Sequence, residues 1–221
     1  MINFPLLLTN FKATKSAIGS NALKMADIHQ AAKKQSNKEI AIATQISDIE
    51  KIAKKNDLKV FAQHTDNVSY GSFTGKIPPE IVKDLGAFGT ILNHSENRFT
   101  DLENLGKAIS LAKKAGLFVV CCAENADEGK EIFQKFAPDL IAIEPPELIG
   151  GDISVSTAKP ELIEESVQKI GKDKVLVGAG IKNSEDVKIS LSLGAVGVLV
   201  ASGITKNNDP KEAILDLVSA F

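Results

Sequence analysis

Residues 88–122 read FGTILNHSENRFTDLENLGKAISLAKKAGLFVVCC. The stretch opens on a short apolar run, Phe88–Leu92, and closes on another, Leu117–Cys122. Between them lie a polar turn, a capping-box pattern at Thr100-Asp-Leu-Glu103, an amphipathic stretch and Gly116. Runs this short, apolar on both alternating faces and bounded by turn residues, suit strands buried on both sides in a parallel sheet. The stretch between them has the length and punctuation of the helix that a parallel pair needs to return the chain to its starting edge.

The same unit recurs along the chain. Apolar runs occur at Phe4–Leu8, Ile40–Ala43, Leu58–Ala62, Leu140–Ile143, Val175–Val177 and Val196–Val200, which with the first two makes eight. Helix starts are expected at Ser47-Asp-Ile-Glu50, at Asn125 with Glu128, and at Asp209-Pro210. Helix ends are expected at Gly86, Gly116, Gly171 and Gly194. Eight strands alternating with about eight helices, at roughly 28 residues per unit, predict a (β/α)8 barrel formed as a single domain over residues 1–221. A doubly wound open sheet competes. It needs fewer strands or a longer chain, and the glycine-rich dinucleotide turn expected after its first strand is missing. Leu193-Gly-Ala-Val-Gly-Val198 echoes Leu85-Gly-Ala-Phe-Gly-Thr90, a weak repeat joining units half a barrel apart.

Composition narrows the function classes. The 221 residues carry 26 basic and 28 acidic side chains, a net charge of −2, with 43% hydrophobic and 24% charged residues. That is the balance of one soluble globular domain and not of a nucleic-acid binder, which needs an excess of positive charge. Phe4–Leu8 is too short for a signal-peptide core or a bilayer span, so no membrane association and a cytoplasmic location are expected. The two cysteines, Cys121 and Cys122, are adjacent. On a strand they point to opposite faces, so they read as reduced core thiols. No linker or low-complexity segment divides the chain.

A barrel concentrates its chemistry at the C-terminal ends of its strands. Those ends supply Asn10 with Lys12, Gln63-His64, Asn93-His94, Glu144, Gly178-Ala-Gly180 and Ala201-Ser-Gly203. Glu144 reads either as a solvated strand-end acid or as a general base whose proton affinity is raised by drying. Pro145-Pro-Glu-Leu-Ile-Gly-Gly151 after it has stiff and permissive ends, as a hinged lid would. His94 gains weight from sharing a mouth with Glu144 and Lys12, whereas His29, inside an expected helix, is assigned no function. Lys12 is placed to meet an anion, and the two glycine loops after strands seven and eight suit a phosphate. His64, His94 and Glu144 could also surround a metal, but no HxH or HExxH spacing supports it. Arg98, the one arginine, lies four residues past His94. The long segment from His64 to Pro79 carries Tyr70 and Phe73, which suit a subunit contact or packing on the barrel itself.

These residues together resemble the triose-phosphate isomerase family, in its short archaeal-type branch. The resemblance covers nearly the whole chain. It rests on Asn10-Phe-Lys12, Ala62-Gln63, Gly71-Ser-Phe-Thr-Gly75, Asn93-His-Ser-Glu96, Ile143-Glu-Pro-Pro-Glu-Leu-Ile-Gly150, Gly178-Ala-Gly180 and Ala201-Ser-Gly203. It implies interconversion of dihydroxyacetone phosphate and D-glyceraldehyde 3-phosphate through an enediol(ate). Glu144 would move the proton, neutral His94 would hydrogen-bond the oxygens, and Lys12 with Asn10 would hold the substrate. Ile149, Gly180, Ala201 and Ser202 would bind the phosphate. The resemblance implies no metal or organic cofactor, and a homo-oligomer, tetrameric or dimeric. After Ile149-Gly150 the family usually continues Thr-Gly, where this chain has Gly151-Asp152. Another phosphate-binding barrel enzyme, a sugar-phosphate epimerase or an indole-glycerol-phosphate synthase, and an inactive phosphosugar sensor are the competing functions.

Overall fold

In the computed structural model, which describes residues 1–148 and 154–221, the strands close on one another in sequence order. They are β1 Leu6–Asn10, β2 Glu39–Thr44, β3 Lys59–Ala62, β4 Gly89–Leu92, β5 Phe118–Ala123, β6 Leu140–Ile143, β7 Val175–Val177 and β8 Gly197–Val200. Every pairing is parallel, and β8 closes the barrel against β1, with Leu6 opposite Gly197 and Thr9 opposite Val200. The helices among the described residues are α1 Ser20–Ser36, α2 Ile46–Lys55, α3 Pro79–Asp84, α4 Leu102–Lys114, α5 Ala126–Phe136, α6 Val155–Ala158, α7 Pro160–Ile170, α8 Ser184–Ser192, α9 Ser202–Thr205 and α10 Pro210–Ser219.

The period-2 alternation of the strands produces two cores. One face sends Leu6, Leu8, Ala41, Phe61, Ile91, Val120, Cys122 and Leu176 into the barrel. The other sends Leu7, Ile40, Ile42, Val60, Leu92, Val119, Cys121 and Ile141 against the helices. The adjacent cysteines therefore fall in different layers, both free and buried, as their spacing predicts. The first strand starts later than its apolar run suggests. Pro5 has no N–H to give a ladder, and Phe4 stays exposed.

The weak repeat marks two equivalent close approaches. A Cβ on Gly89 would stand 2.3 Å from the Phe118 carbonyl oxygen and 2.5 Å from the Phe61 ring, and one on Gly197 would stand 2.1 Å from the Leu6 oxygen. Both glycines begin a strand at the barrel floor, where only a residue without a side chain admits its neighbour.

Helix ends follow the glycine signals: Gly86, Gly116, Gly171 and Gly194 all have positive φ. Asn125 and Asp209 cap as expected, accepting the amides of Glu128 at 3.0 Å and Glu212 at 3.1 Å. Two expected starts are corrected. The α4 cap is Asp101, whose carboxylate accepts the Asn104 amide at 2.8 Å, and Thr100 lies outside. A carboxylate in extended backbone at that place competes better for the amide than the hydroxyl before it. Ser47 lies inside α2, which begins at Ile46. The Asp48 carboxylate that the capping-box reading left aside is instead buried and accepts the Gly19 amide at 2.9 Å, tying α2 to the turn before α1.

Candidate active site

The C-terminal ends of β1, β4, β6, β7 and β8 surround a cleft of about 310 Å³. It is lined by Asn10, Lys12, His94, Glu144, Gly180, Ala201 and Ser202 among others. Asn10, Lys12, His94, Glu144, Gly180, Ala201 and Ser202, singled out in the sequence as catalytic or phosphate-binding, thus all lie on one cleft. Ile149 and the lid residues Gly150, Gly151 and Asp152 lie outside the described residues.

Asn10 ends β1 and is buried. Its side-chain oxygen accepts the Lys12 amide at 3.0 Å, and Lys12 takes a left-handed φ of 50°. A lysine in that region costs of order 1 kcal/mol, so the turn needs fixing from outside as well. Gln63, at the end of β3, does so by donating to the carbonyls of Lys12 at 3.0 Å and Ala43 at 3.3 Å. The Lys12 ammonium reaches across the mouth to Glu96 at 2.7 Å. Glu96 is largely exposed, and such a pair is worth at most about 1 kcal/mol, so a ligand anion competes for the ammonium on easy terms.

His94 follows β4 and is buried. The Glu96 amide donates to its Nδ1 at 3.1 Å, so Nδ1 is an acceptor and the proton of the neutral ring sits on Nε2. Burial, and secondarily the Lys12 charge, lower the pKa of His94 below the usual imidazole value, with Glu96 opposing. Its Nε2 stands 3.7 Å from Glu144 Oε1, too far for a hydrogen bond. A neutral N–H donor and a carboxylate are therefore held side by side without neutralising each other.

Glu144 continues β6, its amide donating to the Ala123 carbonyl at 2.9 Å. The side chain is 4% exposed, and burial pushes its pKa up to about 7. The Cys122 thiol beside it and the Lys12 charge oppose that rise in part. Two neighbours of this carboxylate escaped the sequence reading. Cys122 read only as a core thiol, because nothing local to β5 shows that β6 ends against it. Gly178 read as a phosphate-loop amide, yet a Cβ there would lie 2.4 Å from Glu144 Cγ and 2.9 Å from Oε1. The missing side chain of Gly178 is the space the carboxylate occupies.

Around the ends of β7 and β8, Gly180 has a φ of 72°, and Ser202 and Gly203 begin α9. The first amides of a helix have no partner within it and point outward. Thr14, Lys182 and Lys206 line this side as well, and none of the three was singled out in the sequence. His64 is absent from the cleft: it stacks on Phe99 at 5.3 Å between centroids and faces Asp66 at 3.8 Å. That separation removes the sequence option of His64, His94 and Glu144 around one metal. Among the described residues no group of three or more His, Cys, Asp or Glu is arranged to hold a metal ion.

A closed eight-stranded parallel barrel, with a buried carboxylate, a neutral imidazole and a lysine on one cleft, has the layout of a barrel enzyme that moves protons on a small anionic substrate. Comparison with known proteins names the kind. The Triosephosphate isomerase family matches residues 5–221, and the chain belongs to that family. It is 43% identical over 218 residues to the triosephosphate isomerase of Methanosarcina mazei, covering 97% of each chain. It is 42% identical to that of Methanocaldococcus jannaschii, covering 96% of this chain and 98% of the other. The crystal structure of triosephosphate isomerase from Bartonella henselae matches with a TM-score of 0.78, covering 99% of each chain at 18% identity, a likeness of fold. The identity to the archaeal methanogen proteins agrees with the archaeal-type motifs read in the sequence.

Proposed function

We propose that Glu144, His94, Lys12 and Asn10 carry out the reaction of a triose-phosphate isomerase, with the whole chain acting as one domain. The reaction interconverts dihydroxyacetone phosphate and D-glyceraldehyde 3-phosphate, a step of glycolysis and gluconeogenesis. Glu144 takes a proton from one carbon and returns it to the next. A carboxylate with pKa near 7 is a stronger base than one in water and is still half or more ionised at neutral pH. Its proton affinity comes from burial, the observation that carries the reading.

His94 donates from Nε2 to the substrate oxygens as negative charge moves between them. A neutral imidazole is a weaker acid than an imidazolium, so it stabilises an enediolate by hydrogen bonding without giving up a proton beforehand. Lys12 leaves Glu96 for the substrate anion, held in position by Asn10. The phosphate sits against Gly180, Ala201 and Ser202, and Ile149, outside the described residues, is the fourth phosphate-binding residue of the proposal. A base, a hydrogen-bond donor and an anion-holding lysine line one cleft, and the proposed route calls on no metal or organic cofactor.

Tyr70 and Phe73 are 64% and 46% exposed on the long β3–α3 connection. Its base is closed by Asp66 and Ile77, with the Asp66 amide donating to the Ile77 carbonyl at 2.8 Å and the Ile77 amide donating to the Asp66 carboxylate at 2.7 Å. A braced loop carrying two exposed rings supports assembly as a homo-oligomer; the resemblance to the archaeal-type branch suggests a tetramer, with a dimer as the alternative, and sedimentation equilibrium would distinguish them. Free buried cysteines favour a cytoplasmic location. Among the described residues no helix is long and apolar enough to cross a membrane.

Glu144→Gln tests the proposal. It should abolish turnover and leave affinity for 2-phosphoglycolate within a few-fold by calorimetry, since amide and carboxylate share a shape. Near-normal turnover in this variant would remove Glu144 from the role of base.

A further inference from the structure

Arg98 is the chain's one arginine, and no step of the proposed reaction uses it. It stands at the end of the turn after β4, four residues past His94. Its guanidinium forks: Nη1 donates to Glu124 Oε1 and Nη2 to Glu128 Oε1. Glu124 follows β5 directly and Glu128 lies in the first turn of α5. Glu128 Oε2 in turn accepts the Glu124 amide at 2.7 Å. One planar cation therefore closes a ring with both carboxylates of the β5–α5 connection. The three side chains are 33%, 41% and 22% exposed, so geometry rather than raw ion-pair energy is what this fork contributes.

The turn it holds is the one that sets His94. Within it the Glu96 amide donates to His94 Nδ1, the Asn97 amide donates to the His94 carbonyl at 2.8 Å, and the Phe99 amide donates to Asn93 Oδ1 at 3.3 Å. Asn93, itself left-handed at φ 59°, donates to the Cys122 carbonyl at 3.1 Å. The turn is thus fastened to the β5 end twice, by Asn93 at its start and by Arg98 at its close. Cys122, which receives the first fastening, is also the residue beside Glu144.

We propose that Arg98 is a positioning residue for the isomerase reaction: by bridging Glu124 and Glu128 it holds the 93–99 turn in the shape that keeps the His94 proton on Nε2, facing Glu144. This rests on the reading of His94 as the hydrogen-bond donor to substrate. A lysine cannot reproduce the bridge, because an ammonium is a point charge without the planar fork.

The test uses Arg98→Ala and Arg98→Lys, with His94→Gln as reference. Each is followed by steady-state kinetics and by 15N NMR of the imidazole. Loosening a donor by a fraction of an ångström should lower kcat about tenfold in Arg98→Ala with KM within about twofold, and Arg98→Lys should recover only part. Guanidinium ion at low millimolar concentration should restore part of the Arg98→Ala turnover where methylammonium does not. The His94 signals should change from one Nε2–H tautomer to a mixture. Unchanged kcat in Arg98→Ala or Arg98→Lys overturns the proposal, as does a fall in kcat with the tautomer intact. If Arg98→Ala does not fold, the lysine variant decides by the same two readouts. An active His94→Gln would instead overturn the reading beneath it, whereas an inactive His94→Gln beside a fully active Arg98→Lys refutes the bridge alone.

Discussion

Gly178→Ala probes the site through the space that the Glu144 side chain occupies because residue 178 has no side chain of its own. The added methyl would lie 2.4 Å from Glu144 Cγ and 2.9 Å from its Oε1, whereas carbon contacts settle at roughly 3.5–4.0 Å. Gly178 does not sit at positive φ, so alanine brings no backbone strain, and it keeps the N–H that donates to the Ile143 carbonyl at 2.9 Å. The conflict is resolved by the carboxylate moving about 1 Å or by β6 and β7 parting. Displacement of that size costs on the order of 10²-fold in rate, equivalent to about 2.7 kcal/mol of transition-state stabilisation. Crowding of this kind costs a further ~1–3 kcal/mol of folding stability. A coupled assay of glyceraldehyde 3-phosphate isomerisation reads kcat, and thermal unfolding reads the stability cost. Affinity for 2-phosphoglycolate should change less than kcat, because Gly180, Ala201 and Ser202 are untouched. A variant with kcat within threefold of wild type and an unchanged melt would refute the account of Gly178 as room for the base.

Three further outcomes follow from the titrating groups. Glu144 works as a carboxylate and its pKa is raised to about 7, so kcat/KM should fall tenfold per pH unit below that point; a flat profile from pH 5.5 to 8 would contradict it. Lys12→Met should weaken 2-phosphoglycolate binding and turnover together, each by at least ~10-fold for loss of a charge-assisted contact, and unchanged affinity by calorimetry would count against its anion role. His29 is held neutral by burial, its pKa lowered to about 4, with Nδ1 against the Met25 carbonyl at 2.7 Å and Nε2 against the Thr9 hydroxyl at 3.0 Å. The unfolded chain therefore takes up the proton first as pH falls through 6.5. The stability that neutral burial contributes above that pH is lost toward pH 4, about 2 kcal/mol of it between pH 7 and 5. Urea unfolding of His29→Gln should show a smaller fall than the parent over that window, a comparison in which the opposite contribution of Glu144 cancels. Equal falls would argue against His29 as the group responsible.

The barrel was legible because its strands are buried on both faces. Leu140–Ile143 and Val175–Val177 match their apolar runs residue for residue, and the others differ only at the ends. Helix stops were legible because a positive φ after a helix selects glycine, as at Gly86 and Gly194. Helix starts were less so: Thr100 and Asp101 both offer cap oxygens, and only the course of the chain shows which one meets the Asn104 amide. Asn10, Lys12, His94 and Glu144 could be read because each stands beyond an apolar run, where a barrel gathers its ends. What surrounds them could not, since the approach of Gly178 and Cys122 to Glu144 depends on how adjacent strands align, not on local pattern. The same holds for Arg98, whose partners lie 26 and 30 residues away, and for His64, which shares a strand end with Gln63 yet turns to Phe99.

The central claim is that one buried carboxylate carries the proton between neighbouring carbons. Turnover of dihydroxyacetone phosphate in D2O, followed by NMR with and without chelator, tests it most directly. The account predicts rapid wild-type incorporation of deuterium at the carbons that exchange protons, indifferent to chelator, and its loss in Glu144→Gln that still binds 2-phosphoglycolate. Exchange at wild-type rate in that variant would contradict it.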